Sequence, residues 1–334
     1  MTGSSAHSLR IQHDGDIAGD VLAQAAAFLE RHASGYVSGN VHLSRLTGGA
    51  SNVNLRVACE SGQFALRLCD PDGVRWGVDR RAAIQAQRDA AAQGLAPAIL
   101  AAELPSGHYL SEFVEGTQLT PELLQEEGYL RLVAATWRRL NASTTTSRDF
   151  SPFDDARTFI EYAAADDAPR PPRLDEMFAA LLRIEALFDN RLAPRGFCHS
   201  DSVPQNYLQS AEGLKMVDFD YAGTGWTAFE LGSLCCQAEL DDRQTAILLR
   251  AYDPAADDGQ RARVELMRFV AGIREATWAL MAQPYLGHKT TPLDGWTYEG
   301  HAKRNIGQAC LVIDSGAFES YLSAARRVRP GALC

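Results

Sequence analysis

The chain has no run of some eighteen or more apolar residues, so nothing in it can cross a bilayer as a helix. Its opening, MTGSSAHSLRIQHDGD, lacks the apolar centre of a secretory signal. Cysteine is scarce, with seven at positions 59, 69, 198, 235, 236, 310 and 334. The odd count and the absence of C-x-x-C spacing exclude a disulfide framework and a thiolate zinc site. Buried reduced thiols, and with them a cytoplasmic setting, are expected. Basic residues fall short of acidic ones, 32 against 42, for a net charge of −10. That balance argues against nucleic acid or an anionic membrane as partner and permits a cationic ligand. No Gly-Lys-Ser/Thr follows the glycine pair at 48–49, so there is no Walker A loop.

What is present is an ordinary globular composition, 46% apolar and 22% charged over 334 residues, enough for two domains or one large one. The first fifteen or so residues are polar and read as a mobile tail. Residues 18–33 carry a helical period. Alternating stretches at 41–46, 53–59 and 63–70 form an antiparallel meander, and 79–93 reads as a helix ending at Gly94 with Pro97 beyond. ILAAEL and HYLSEFVEG complete a small sheet. Helices are then expected at 121–140, 156–165, 174–190, 242–252, 262–282 and 296–326. This is an α+β, bilobal pattern: a small β-rich N-lobe (1–113) and a larger, mostly helical C-lobe (114–334), with the break near Glu112–Gly116.

Residues 199–206 read HSDSVPQN, and Asp218 ends the apolar stretch LKMVDFD. Asp201 and Asn206 stand five apart, the spacing between base and metal ligand in a kinase catalytic loop. Phosphoryl transfer needs those residue types. A carboxylate orients the attacking hydroxyl and takes its proton, while an amide and a second carboxylate, Asn206 and Asp218, offer hard oxygens to Mg2+. Cys198, beside His199, has no activating partner in the sequence and is not read as a nucleophile.

HSDSVPQNYL followed by MVDFDYAGTGWTAFELGSL resembles the signature of the aminoglycoside phosphotransferase and choline kinase superfamily. Asp220 and the aromatic-rich last third make it more similar to the choline/ethanolamine kinase branch than to the antibiotic-resistance branch. The likeness runs from about residue 40 to about 325. It implies a protein-kinase-like fold, ATP and Mg2+ as cofactors, and a strand at Ser111–Phe113 offering backbone groups to adenine. His199 would brace the loop.

On the nucleotide side, TGGASNVN (47–54) lets the backbone approach phosphates, with Ser51 and Asn52 as donors. Arg67 sits where kinases place the phosphate-gripping cation and can hold two oxygens at once. Two departures from the family pattern stand out. The helix carboxylate that pairs with this cation would fall near Ala83, where no acid stands. Asn141 replaces a family histidine and reads as structural.

On the acceptor side, Asp220, Tyr221 and Trp278 are the principal candidates. Trp226, Glu230, Tyr285, Trp296 and Tyr298 are further candidates for the pocket, with Glu230 read rather as a support for the catalytic loop. Aromatic faces recognise a quaternary ammonium by cation–π attraction, and a carboxylate adds charge complementarity. The expected activity is ATP-dependent phosphorylation of a small amino alcohol, choline or ethanolamine. Other hydroxylated acceptors (a sugar, an aminoglycoside, a nucleoside antibiotic) and a non-catalytic nucleotide-binding regulator are the alternatives. Oligomeric state is not legible.

Overall fold

Strict alternation in NVHLSR, VNLRVAC and GQFALRL puts Val41, Leu43, Leu55, Val57, Leu66 and Leu68 on one face of a sheet. The computed structural model describes residues 9–46, 51–143, 148–166, 168–188, 193–287 and 295–327. Its first half contains β1 (Arg10–His13), α1 (Gly19–His32), β2 (Asn40–Arg45), β3 (Val53–Cys59) and β4 (Gly62–Leu68). A 3-10 turn, Pro71–Trp76, leads to α2 (Arg80–Ala92), β5 (Ile99–Ala102) and β6 (Tyr109–Glu112). The six strands form one sheet in the order β1-β2-β3-β4-β6-β5, antiparallel except for the β1–β2 pair. Phe28 and Leu29 of α1 close the apolar face. Arg67 has the opposite parity and points to the other face.

After Glu112 the chain leaves this sheet. β7 (Gly116–Gln118) pairs instead with β9 (Tyr207–Ser210), whose other neighbour is β10 (Gly213–Met216). Between them come α3 (Pro121–Leu124), α4 (Glu127–Asn141), α5 (Pro152–Ala165), α6 (Leu174–Phe188) and β8 (Arg195–Cys198). β8 pairs with β11 (Gly223–Trp226), and α7 (Thr227–Gln237), α8 (Asp242–Tyr252), α9 (Asp258–Leu286), α10 (Tyr298–Ile313) and α11 (Phe318–Ala325) finish the lobe. α9 is buried on nearly every side and is the spine on which the rest of the helical lobe packs. Among the described residues no helix is long and apolar enough to cross a membrane.

Several expectations are corrected. Arg10–His13 lies within the stretch read as a tail, yet it is an edge strand held by β2 through its backbone; its polar side chains hid it. α7 was not expected, because a helix buried all round shows no amphipathic period. The helices anticipated at 121–140 and 296–326 are each two. The second breaks at Asp314–Ala317, where Gly316 takes a left-handed φ of 72° that ends the helical turn. Of the described cysteines, Cys69, Cys198, Cys235 and Cys236 are buried, whereas Cys59 and Cys310 are partly exposed, against the expectation; burial pushes Cys235 and Cys236 up to about 12.

Candidate active site

Two loops of the helical lobe hold the residues that the sequence singled out. The one after β8 runs from His199 to Asn206, and the one between β10 and β11 carries Asp218, Phe219 and Asp220. The second loop is tied to the first by the Val217 N–H, which donates to the Asn206 carbonyl at 3.0 Å. His199 is wholly buried and donates from Nε2 to the Val217 carbonyl at 2.9 Å, which fixes its tautomer; its ring packs on Phe219 at 4.6 Å. Burial holds its pKa below the ordinary value. Ser200 and Asp218 both sit at positive φ, 65° and 67°. Non-glycine residues at such angles are strained and persist where the surroundings demand them, as functional loops do.

Asp201 is held from its own loop: Asn206 Nδ2 donates to its Oδ2 and to its carbonyl, each at 3.1 Å. Burial, then the negative charges of Glu275 and Asp218, push its carboxyl well above the usual range. Beneath the loop, Glu230 accepts from the Ser200 N–H at 2.7 Å. Burial pushes Glu230 up to about 7, against the pull of backbone donors at Ser200 and His199. Asn141 also supports this region. It donates to the Phe197 carbonyl at 2.8 Å and accepts from Tyr252 at 2.7 Å. Burial lifts the Cys198 thiol far above its normal range, so it is no nucleophile.

Arg67 reaches this loop from the other lobe. Its Nη2 donates to Asp218 Oδ1 and to Asp220 Oδ2, both at 2.7 Å. Burial would raise the Asp218 pKa, but Arg67 overcomes it and holds the carboxyl below the ordinary value. Asp220, expected on the acceptor side, lines the cavity but shares its charge with Arg67. Besides Arg67 it receives Asn52 Nδ2 at 3.2 Å and faces Arg80 Nη1 at 3.5 Å. The Asn52 amide is likewise committed, accepting from the Asp70 N–H at 3.1 Å, while Ser51 lies beside it and lines the cavity. Residues 47–50 of the glycine segment lie outside the described residues. Ser111 is buried at the end of β6, and Phe113 follows with its ring beneath Arg56 at 5.2 Å, where the chain crosses between lobes.

Arg80 was missed by the sequence reading. It stands at the start of α2, is only 8% exposed, and donates from Nη2 to the Asp70 carbonyl at 2.7 Å. Its side chain threads between two glycines. A Cβ at Gly73 would lie 1.9 Å from Nη2 and one at Gly107 2.6 Å from Cδ, so only glycine leaves the passage open. Two guanidiniums thus converge beside Asp218 and Asp220.

A cavity of about 570 Å³ opens from these residues. Asp201, Asn206, Asp218 and Asp220 line one end, and Glu275, Trp278, Trp296 and His301 line another part of it. Glu275 was also missed, although it stands one helical turn before Trp278 on α9. It accepts from Arg274 Nη1 at 2.6 Å and meets His301 Nε2 at 3.2 Å. Arg274 is buried, pairs with Asp155 at 2.9 Å and lies 4.2 Å over the Tyr221 ring. Tyr221 lines the cavity, as does Trp278, which packs with Tyr298 and His301. Trp226 packs instead on Phe153 and Phe188, and Tyr285 on Trp76.

Among the described residues no three His, Cys, Asp or Glu side chains converge as a metal cage. The donors at the catalytic end are the Asp218 carboxylate and the Asn206 carbonyl oxygen, whose amide nitrogen is spent on Asp201. Such a sparse, all-oxygen set suits Mg2+, which keeps waters and takes its remaining ligands from substrate phosphates.

The profile of the family described as APH, phosphotransferase enzyme family, matches residues 42–266. Protein LicA of Haemophilus influenzae is 27% identical over 213 residues, which is 61% of this chain and 61% of that curated relative's length. A choline/ethanolamine kinase family protein from Mesorhizobium loti superposes with a TM-score of 0.75 at 20% identity, covering 91% of this chain and 99% of its own. The choline kinase LicA from Streptococcus pneumoniae gives 0.71 at 16% identity, covering 86% and 99%. At these identities the solved structures establish the bilobal kinase-like fold.

Proposed function

Because this chain belongs to the APH phosphotransferase enzyme family, we propose that it transfers the γ-phosphoryl group of ATP to the hydroxyl of a small amino alcohol, choline or ethanolamine. The observation that carries the acceptor reading is the cavity joining Asp201 to a wall of Glu275, Trp278 and Trp296. Arg274 pairs with Glu275 in that wall and with Asp155 behind it, so the cavity presents carboxyl groups, Asp201 and Glu275, beside its aromatic rings. Aromatic faces beside carboxyl groups favour a cation. The relatives named as choline kinase and choline/ethanolamine kinase family proteins support the same acceptor.

In this reading Asp201, with Asn206 fixing its carboxylate, aligns the acceptor hydroxyl and takes its proton as the oxygen–phosphorus bond forms. The bond from the γ-phosphorus to the bridging oxygen breaks, and ADP leaves with that electron pair. Arg67 and Arg80 would hold phosphate oxygens. Asn206 and Asp218 would hold Mg2+, which when bound screens the phosphate charge. Ser111–Phe113 would meet the adenine, and catalysis would draw little from Asp220 beyond its hold on Arg67.

A second reading has its own observation. The cavity continues to Glu122, Gln125, Gln205, Gln237 and Glu239, a polar outer end that suits a larger hydroxylated cation such as an aminoglycoside. One panel separates the two: ATP consumption with choline, ethanolamine, neutral sugars and aminoglycosides. Turnover of the amino alcohols supports the proposal. Turnover of aminoglycosides alone gives the second reading, and none with any acceptor contradicts both.

A further inference from the structure

The segment between β4 and α2 belongs by sequence to the sheet lobe, yet its centre is embedded in the helical one. At one end Asp70 caps the turn, its Oδ1 accepting from the Asp72 N–H at 2.9 Å, and Asn52 holds its N–H. At the other end stands Arg80. Between them Trp76 is 2% exposed and packs in the apolar core built on α5 and α9, together with Val78. Its ring centroid lies 6.2 Å from that of Tyr285, and the Arg75 guanidinium lies 4.5 Å over the same Tyr285 ring. Tyr285 donates in turn to Asp166 at 2.6 Å. Trp76 and Val78 both border the cavity that contains Asp201, Glu275 and Trp278.

We propose that Trp76 is a specificity-determining residue that contacts the acceptor: its indole forms part of the wall that the nucleotide lobe contributes to the acceptor cavity. The inference rests on the reading of this cavity as the acceptor site. The helical lobe supplies Trp278 and Trp296, and Trp76 brings a further aromatic surface from a separate part of the chain. Indole has the strongest cation-attracting face of the natural side chains, and a site screened from water strengthens it. A cation in the cavity is thereby recognised by both lobes together.

The test uses full-length Trp76→Phe and Trp76→Leu. Each is titrated calorimetrically with choline and with its neutral isostere 3,3-dimethylbutan-1-ol, in the presence of a non-hydrolysable ATP analogue, with thermal melting alongside. Trp76→Leu should raise the Kd of choline on the order of 3- to 30-fold and Trp76→Phe by less, while the neutral alcohol and the nucleotide hold within about twofold. Equal weakening of both alcohols, or unchanged choline affinity in a folded variant, overturns the proposal. Should Trp76→Leu fail to fold, Trp76→Phe decides alone, on a choline-specific loss of about threefold against none. If the wild-type protein phosphorylates no amino alcohol, the acceptor reading fails independently. The same variants are then titrated with whatever acceptor the panel identifies, and unchanged affinity for it removes Trp76 from the wall.

Discussion

Arg67 and Asp220 meet at 2.7 Å across the boundary between the two lobes. This contact answers the gap at Ala83. A kinase helix ordinarily presents an acid to the strand cation, but here the acid comes from the loop after β10, and α2 contributes a second cation, Arg80. Ala83→Glu should therefore gain nothing: nucleotide affinity should stay within about threefold of wild type, because the guanidinium is already held on two carboxylates. A clear tightening in a binding titration would mean that Arg67 is under-supported.

Removing the shared acid has the opposite character. Asp220→Asn strips charge from beside two buried guanidiniums and should cost about 3–5 kcal/mol of stability. Bound ADP or ATP brings negative phosphates to the same cations, so nucleotide should raise the melting temperature of the variant more than that of the wild type. Equal melting shifts in both proteins would show that the phosphates bind elsewhere.

Asp201→Asn should leave nucleotide affinity nearly unchanged and lower kcat by roughly 10²- to 10⁴-fold, the usual worth of a positioned base. The Asn206 contacts to the backbone carbonyl survive the change, so the loop should hold its shape. Activity close to wild type would remove Asp201 from the chemistry.

Glu230 predicts a pH effect on stability. Its folded pKa, about 7, stands above the ordinary 4.5, so its contribution is fully present below pH 4.5 and is lost as the pH rises through 7. That loss amounts to roughly 3 kcal/mol. Glu230→Gln cannot ionise and keeps an oxygen for the Ser200 N–H. It should flatten the decline in melting temperature between pH 5 and about pH 8, stabilising the protein most at the alkaline end. An unaltered slope would assign that decline to other groups.

The two loops of the candidate site were legible in the sequence because each is local. HSDSVPQN and VDFD place their candidate residues within a few positions, and the spacing is itself the chemical signal. The strands and most helices were legible for the same reason, through alternation and periodicity. What lay hidden was proximity between distant segments. Nothing along the chain puts Arg80 or Asn52 beside Asp220, or Trp76 in the helical lobe. Those contacts give Asp220 to Arg67, while Glu275 lines the cavity beside Trp278. Glu275 had one readable sign, its place a helical turn from Trp278, which the aromatic residues overshadowed.

The reading of the cavity as a site for a cationic alcohol is tested most directly by comparing kcat/KM for choline and for 3,3-dimethylbutan-1-ol. The two share shape and hydroxyl and differ in charge. Loss of the aromatic and carboxylate attraction, on the order of 2–4 kcal/mol, should favour choline by about 30- to 1000-fold. Glu275→Gln should narrow that ratio by weakening choline alone. Equal turnover of the two alcohols would contradict the account.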